Sequence, residues 1–155
     1  MKHDIREQKI DTLNELISVT RDSAKFYQDA AGKVQSPQLQ SLFNNMADAK
    51  CGIVDAHARE VKSDGAEPKD SGSFQGSLHR LYGDVRGKLG GDDYDYVAQL
   101  EESEDRMLDA YKDVVNDSNT PQPVKSAVSS YLPQVTEQHN LMRDRKWQMQ
   151  GSSSH

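Results

Sequence analysis

Apolar residues recur every three or four positions through almost the whole chain, which is the spacing of one face of an α-helix. No stretch alternates apolar and polar residues for long, so the pattern predicts an all-α protein. Four long helices are predicted, at about residues 7–35, 37–64, 93–116 and 124–148. A shorter helix is predicted at about residues 74–89. The chain is therefore expected to fold as a helical bundle.

Residues that start and stop helices support these boundaries. Ser36 followed by Pro37 is typical of an N-cap and the first residue of a helix. Gly65 suits the left-handed conformation that ends many helices. Asp92 or Asp93 is expected to cap the third long helix.

Loop lengths predict how the helices are connected. The first two long helices are joined by a short turn, and so are the last two, so each pair should form an antiparallel hairpin. About 30 residues separate the hairpins, which is enough chain to leave the second and third long helices parallel. This is the ferritin-like four-helix bundle, two antiparallel hairpins joined by a long crossover that contains the short fifth helix. We expect residues 1–150 to form this single domain and residues 151–155 to be a disordered or appended tail.

Composition argues against several classes of protein. The net charge of −6 disfavours nonspecific binding to nucleic acid or to anionic membranes. Hydrophobic residues make up 34% of the chain, and no run of about 18 apolar residues could cross a membrane. The single cysteine, Cys51, cannot form an intrachain disulfide, and no apolar signal segment follows Met1. A cytoplasmic protein without nucleic-acid or membrane partners is therefore expected.

The two predicted hairpins carry a weak internal repeat. With an offset of 84 residues, Thr20 aligns with Glu104 and Tyr27 aligns with Tyr111. In the second helix of each hairpin the offset is 86 residues. The repeat predicts that the aligned residues lie at equivalent levels of the two hairpins.

Three stretches of the sequence carry a family resemblance. They are LNELISVTRDSAKFYQDAAGKVQSPQLQSLFNNMA, GAEPKDSGSFQGSLHRLYGDVRGKLGGDD and LEESEDRMLDAYKDVV. They resemble an uncharacterised bacterial family of ferritin-like four-helix-bundle proteins that is catalogued as a domain of unknown function. The resemblance extends from about Thr12 to Lys146. It implies a ferritin-like fold and brings no established activity with it.

The ferritin-like superfamily supplies a ligand pattern with which this chain can be compared. Its di-iron proteins take a Glu from each of two helices and a Glu-x-x-His motif from each of the other two. Six positions of this chain correspond to that pattern: Thr20, Lys50, Ile53, Glu104, Thr136 and His139. Only Glu104 and His139 are ligand types, and Lys50 places a positive charge where a dication would bind. We therefore predict a degenerate di-iron site with no metal and no cofactor.

Glu104 lies on the apolar stripe of the third long helix, where a carboxylate is costly to bury without partners. We expect it to accept a hydrogen bond from at least one of His139, Thr20, Lys50 and Tyr27. Such a polar plug would occupy the level of the degenerate metal site. The alternative is that Glu104 serves as a metal ligand or a general base.

Other polar and irregular positions give weaker signals. His57 follows Asp55 by two positions, so the two do not share a helical face and no metal pair is expected. Cys51 has no His or Cys at helical spacing, which argues against a reactive thiol. Pro133 should kink the last helix because it has no N–H group and its ring crowds the preceding turn. Gly52 interrupts the second helix.

Three hypotheses of function remain open. The first is a non-catalytic ferritin-like protein, stress-associated or structural, that acts through an unidentified protein partner or by self-association. The second is a di-iron or di-manganese oxidase or peroxidase with a rearranged ligand set. The third is a helical module that binds a small apolar ligand between its helices. The degenerate ligand set favours the first.

Overall fold

Five α-helices make up most of the chain that the computed structural model describes, namely residues 2–68 and 90–153. The helices are α1 (Lys2–Ala31), α2 (Pro37–Ser63), α3 (Asp93–Asn116), α4 (Gln122–Ser129) and α5 (Leu132–Ser153). No β-strand occurs within these two ranges, so the all-α prediction is confirmed. None of the described helices combines the length and apolar character needed to cross a bilayer. The short helix predicted at residues 74–89 lies outside the described residues.

The predicted capping residues are found at the helix ends. Ser36 caps α2 by accepting a hydrogen bond from a backbone N–H of its first turn at 3.3 Å. Gly65 follows α2 with a φ of +85°, in the left-handed region. Asp92 caps α3 and forms a reciprocal capping box with Asp95. Gly91, with a φ of +108°, is needed before this cap, because a Cβ atom there would lie 2.2 Å from the Asp95 carboxylate.

Two antiparallel hairpins make up the bundle. The far ends of α1 and α2 meet where Arg6 Nε donates to the backbone carbonyl of Asp64 at 2.8 Å. α5 returns along α3, and Gln150 near its end donates to the hydroxyl of Tyr94 near the start of α3 at 2.8 Å. Both directions agree with the short connections seen in the sequence.

The helices α2 and α3 run in the same direction. Lys50 contacts Glu104, and seven residues later in both helices His57 contacts Tyr111. Contacts that advance together along both helices are possible only when the helices are parallel. α3 therefore begins at the same end of the molecule as α2.

The last predicted helix is divided into two. α4 and α5 are separated by Ser130 and Tyr131. Pro133 has no N–H to donate to the carbonyl of Ser129, so a continuous helix would lose that hydrogen bond. The kink expected from the sequence is thus a complete break. α5 extends to Ser153, so it includes residues 151–153 of the predicted tail, and residues 154 and 155 lie outside the described residues.

Most buried side chains form one apolar cluster that involves all five helices, and a smaller cluster lies between α1 and α2. Seven polar or charged side chains are buried just as completely, with at most 1% of their surface exposed: Asn14, Thr20, Ser23, Lys50, His57, Ser103 and Glu104. Because polar groups in a core are costly without partners, the three that can carry charge, Lys50, His57 and Glu104, show where a functional or specificity-determining site should be sought.

The carboxylate of Asp93 joins the two hairpins at one end. Its Oδ1 accepts a hydrogen bond from the backbone N–H of Gln35 at 2.8 Å, and its Oδ2 accepts one from the backbone N–H of Ser36 at 2.9 Å. The first residue of α3 therefore satisfies two donors in the turn that precedes α2.

Asp93→Ala should lower the free energy of unfolding by about 1–3 kcal/mol, because two backbone donors lose their acceptor. Urea denaturation measures the change. Asp109→Ala is a control in the same helix, since Asp109 is exposed and makes no hydrogen bond or ion pair with a described residue. It should change stability by less than about 0.5 kcal/mol. Equal stability of the two variants would show that the Asp93 contacts contribute nothing.

Candidate functional site

The carboxylate of Glu104 lies at the middle of α3 and is completely buried. Its Oε1 accepts a hydrogen bond from the ammonium of Lys50 on α2 at 2.7 Å. Its Oε2 accepts one from the hydroxyl of Tyr27 on α1 at 2.5 Å. Two of the four partners named from the sequence are therefore in contact with Glu104, and both carboxylate oxygens are satisfied.

A second polar level lies about 10 Å away, seven residues later in α2 and α3 and seven residues earlier in the antiparallel α1. His57 Nε2 of α2 lies 2.8 Å from the hydroxyl oxygen of Tyr111 on α3. The Thr20 hydroxyl of α1 interacts with Tyr111, although no hydrogen bond of full geometry reaches Thr20 Oγ1 within the described residues. The ring of Tyr131 packs at a tilt against His57, with ring centroids 4.3 Å apart. We refer to six residues as the polar column: Thr20, Tyr27, Lys50, His57, Glu104 and Tyr111.

The polar column follows the internal repeat of the sequence. The repeat aligns Thr20 with Glu104 and Tyr27 with Tyr111. Exchanging the aligned residues relates the Tyr27–Glu104 hydrogen bond to the approach of the Thr20 hydroxyl to Tyr111. Only the first is a full hydrogen bond, because Thr20 Oγ1 has no partner among the described residues. The repeat therefore predicts which residues of α1 and α3 lie at the same level, but not how they are bonded.

His139 is not part of the polar column, contrary to the expectation from the sequence. Its Nε2 contacts the carboxylate of Asp105, which follows Glu104 in α3. His139 thus lies at the level of Glu104 along the bundle but on a different face. The buried face of α5 carries Val135, Gln138 and Met142, so His139 falls at the edge of that face and stays partly exposed.

His57 has a role that its local sequence does not reveal. Its spacing from Asp55 gives it no partner, and Asp55 is exposed. The informative signal is a heptad spacing in two helices, since Lys50 and His57 are seven residues apart in α2 and Glu104 and Tyr111 are seven apart in α3. Parallel helices with such spacings can align their polar residues in pairs.

Burial sets the protonation of the second level. It lowers the pKa of His57 from 6.5 to about 4, so the imidazole is neutral at neutral pH. Burial also raises the pKa of the Tyr111 hydroxyl, and the neighbouring Thr20 hydroxyl acts in the opposite direction. His57 Nδ1 is buried and has no hydrogen-bond partner among the described residues. The second level therefore consists of neutral groups, whereas the first level holds an ion pair.

The residues at the centre do not fit a metal site. Within residues 2–68 and 90–153, no three His, Cys, Asp or Glu side chains converge on one point. The ammonium of Lys50 occupies the position beside Glu104 that a cation would need. Ile53 is packed in the apolar core, and Thr136 is half-buried on α5. The arrangement can hold three helices in register, and its two charged groups are excluded from solvent.

The fold and site define an all-helical protein whose centre is a buried polar column. Residues 8–117 match the model of a family described as "Domain of unknown function (DUF2383)", and the chain belongs to this family. The resemblance to an uncharacterised domain family is thereby confirmed. The match includes all six residues of the polar column and ends before α4. No curated protein sequence and no solved structure matches the chain.

Glu104→Leu should cost about 3–5 kcal/mol of unfolding free energy in urea denaturation, because it leaves the Lys50 ammonium buried without its carboxylate. Adding Lys50→Met should recover most of this loss, since apolar side chains of similar volume can replace a buried ion pair. Adding His139→Leu instead is the control and should recover nothing. Equal recovery in the two double variants would contradict the assignment of Lys50 as the partner of Glu104.

His57 should make the fold less stable in acid. Its pKa is about 4 in the folded chain against 6.5 when exposed. Below pH 6.5 the unfolded chain therefore binds a proton that the folded chain excludes, and stability falls as the pH drops towards 4. The loss from this group amounts to about 3 kcal/mol at pH 4 and is absent above pH 7.

The contribution of His57 can be isolated with His57→Gln, which cannot be protonated and should flatten the stability profile between pH 7 and pH 4.5. His139→Gln, at a partly exposed position, should keep the slope of the natural protein. Surface carboxylates titrate in all three proteins, so their contribution to the pH dependence of stability is the same in each and cancels when the profiles are compared. An unchanged slope in His57→Gln, measured by urea denaturation at each pH, would show that the buried imidazole does not control acid stability.

Proposed function

We propose that this protein is a non-catalytic ferritin-like bundle in which an ion pair takes the place of a di-metal centre. The observation that carries the proposal is the 2.7 Å contact between Lys50 Nζ and Glu104 Oε1, with both side chains excluded from solvent. The helix directions support the ferritin-like class, because two antiparallel hairpins with α2 parallel to α3 are its characteristic arrangement.

The electrostatics of the centre favour this proposal over the oxidase hypothesis. Carboxylates in a di-iron site concentrate negative charge around two dications. Here the ammonium of Lys50 already neutralises Glu104, and Thr20 carries no charge at the level where a ligand Glu would lie. A dication about 4 Å from the ammonium would be repelled by roughly 8 kcal/mol even at an effective dielectric constant near 20.

A bundle with this centre acts through its surface rather than through chemistry in its core. The polar column holds α1, α2 and α3 in register and so gives that surface a defined shape. α5 carries the two large apolar side chains that stand out in the described chain, Leu141 with 46% and Trp147 with 58% exposed. We propose that contact with a protein partner or with a second copy is the function.

Metal content tests the proposal. Protein purified after growth with added iron and manganese should contain no stoichiometric metal by plasma mass spectrometry. Thr20→Glu combined with Lys50→Glu returns carboxylates to two ligand positions and should create affinity for Mn²⁺ or Co²⁺ in equilibrium dialysis. Thr20→Gln combined with Lys50→Gln is the uncharged control and should bind neither. Stoichiometric iron in the natural protein that Glu104→Ala removes would overturn the proposal and favour an oxidase.

A further inference from the structure

A groove with a volume of about 620 Å³ runs between α2 and α5. Its inner wall is apolar, one end carries leucines and the other end carries polar side chains. Met46 and Ile53 line the inner wall, Leu42 and Leu141 line the first end, and Arg59 and Tyr131 line the other end. The volume lies within the range of about 300–1,000 Å³ that is typical of small-molecule sites.

Small residues of α2 keep the groove open. They are Ala49, Gly52 and Ala56. Small residues in a bundle ordinarily allow a neighbouring helix to approach closely. At Gly52, however, an added Cβ atom would meet no heavy atom of the described chain within 4 Å. The glycine costs helix stability of about 1 kcal/mol relative to alanine without serving any packing within the described chain.

Gln138 places a buried polar atom in the groove. Its side chain lines the groove and exposes only 7% of its surface. Its Oε1 has no hydrogen-bond partner among the described residues. Buried acceptors are almost always paired in folded proteins, so this oxygen indicates a ligand that supplies an N–H or O–H donor.

The two ends of the groove differ in chemistry. Arg59 lines one end and makes no ion pair with a described residue, and the hydroxyl of Tyr131 lies at the same end. Leu42 and Leu141 line the other end. Glu137 also lines the groove, with an exposed side chain. A ligand whose anionic group meets the arginine rather than this carboxylate, with an apolar body directed towards the leucines, matches the difference between the ends.

We propose that the α2–α5 groove binds a small amphipathic anion with an elongated apolar body and an N–H or O–H group that donates to Gln138. A helix from another protein fits less well, because its backbone donors are already bonded within the helix and it could reach Gln138 only with a side-chain donor. No residue of the polar column lines the groove, so this inference does not depend on the metal-free centre proposed above. Leu141 belongs both to the groove and to the exposed surface of α5 proposed for a protein contact.

Anilinonaphthalene sulfonate is a probe of this class, since it combines two aromatic ring systems, an N–H group and a sulfonate. It should bind the natural protein at one saturable site, with an increase in fluorescence. N-phenylnaphthylamine has the same aromatic body and N–H group but no sulfonate. The comparison of the two probes isolates the contribution of Arg59.

Gly52→Leu places a side chain in the open space and should weaken binding of both probes by roughly tenfold or more, while the helix gains propensity. Cys51→Leu adds the same side chain one residue away, at an exposed position outside the groove, and should bind like the natural protein. Gln138→Leu removes the acceptor and should weaken both probes by about fivefold. Arg59→Gln should weaken only the sulfonate probe.

Equal binding by Gly52→Leu and Cys51→Leu would overturn the proposal. So would sedimentation of the natural protein as a dimer that Gly52→Leu converts to a monomer, since the groove would then be a contact between two copies. Near-ultraviolet circular dichroism of each variant, with a spectrum like that of the natural protein, establishes that the probe reports on a folded site rather than on partial unfolding.

Discussion

The carboxylate of Glu104, excluded from solvent at the middle of the bundle, is the constraint on which the helix arrangement depends. Its two oxygens take partners from two other helices, Lys50 of α2 and Tyr27 of α1, so three helices are held at one level. A buried ion pair contributes little net stability compared with apolar residues of the same volume, but it penalises every arrangement that separates its members. We infer that the pair specifies register more than it adds stability.

The second polar level follows from the first. Parallel helices in register bring residues one heptad further along into contact, so pairing Lys50 with Glu104 also pairs His57 with Tyr111. The groups at that level are neutral, because burial keeps the imidazole deprotonated at neutral pH. Charge is thus confined to one level and is compensated there, which limits the desolvation cost of a core with this many polar atoms.

Local signals made the helices and the central carboxylate predictable from the sequence. Caps mark the helix ends, and Glu104 on an apolar stripe requires a partner. The position of His139 was not predictable, because Gln138 and His139 are neighbours at the edge of the apolar stripe, and packing rather than periodicity decides which of the two is buried. The groove was not predictable either, since the distance between α2 and α5 depends on packing between segments far apart in the chain. The role of His57 could be predicted from the seven-residue spacing that Lys50 and His57 share with Glu104 and Tyr111.

On the proposed function, the changed centre also accounts for the position of α5. In a di-metal bundle each of the four helices supplies ligands, so the metal holds all four to the axis. Here the hydrogen bonds of the ion pair and of His57 come from side chains of α1, α2 and α3. Gln138 of α5 lines the groove. In a di-metal bundle the corresponding helix would instead direct a metal-binding side chain to the bundle axis. On this proposal, a centre that takes no ligand from α5 allows that helix to place Gln138 in the groove instead.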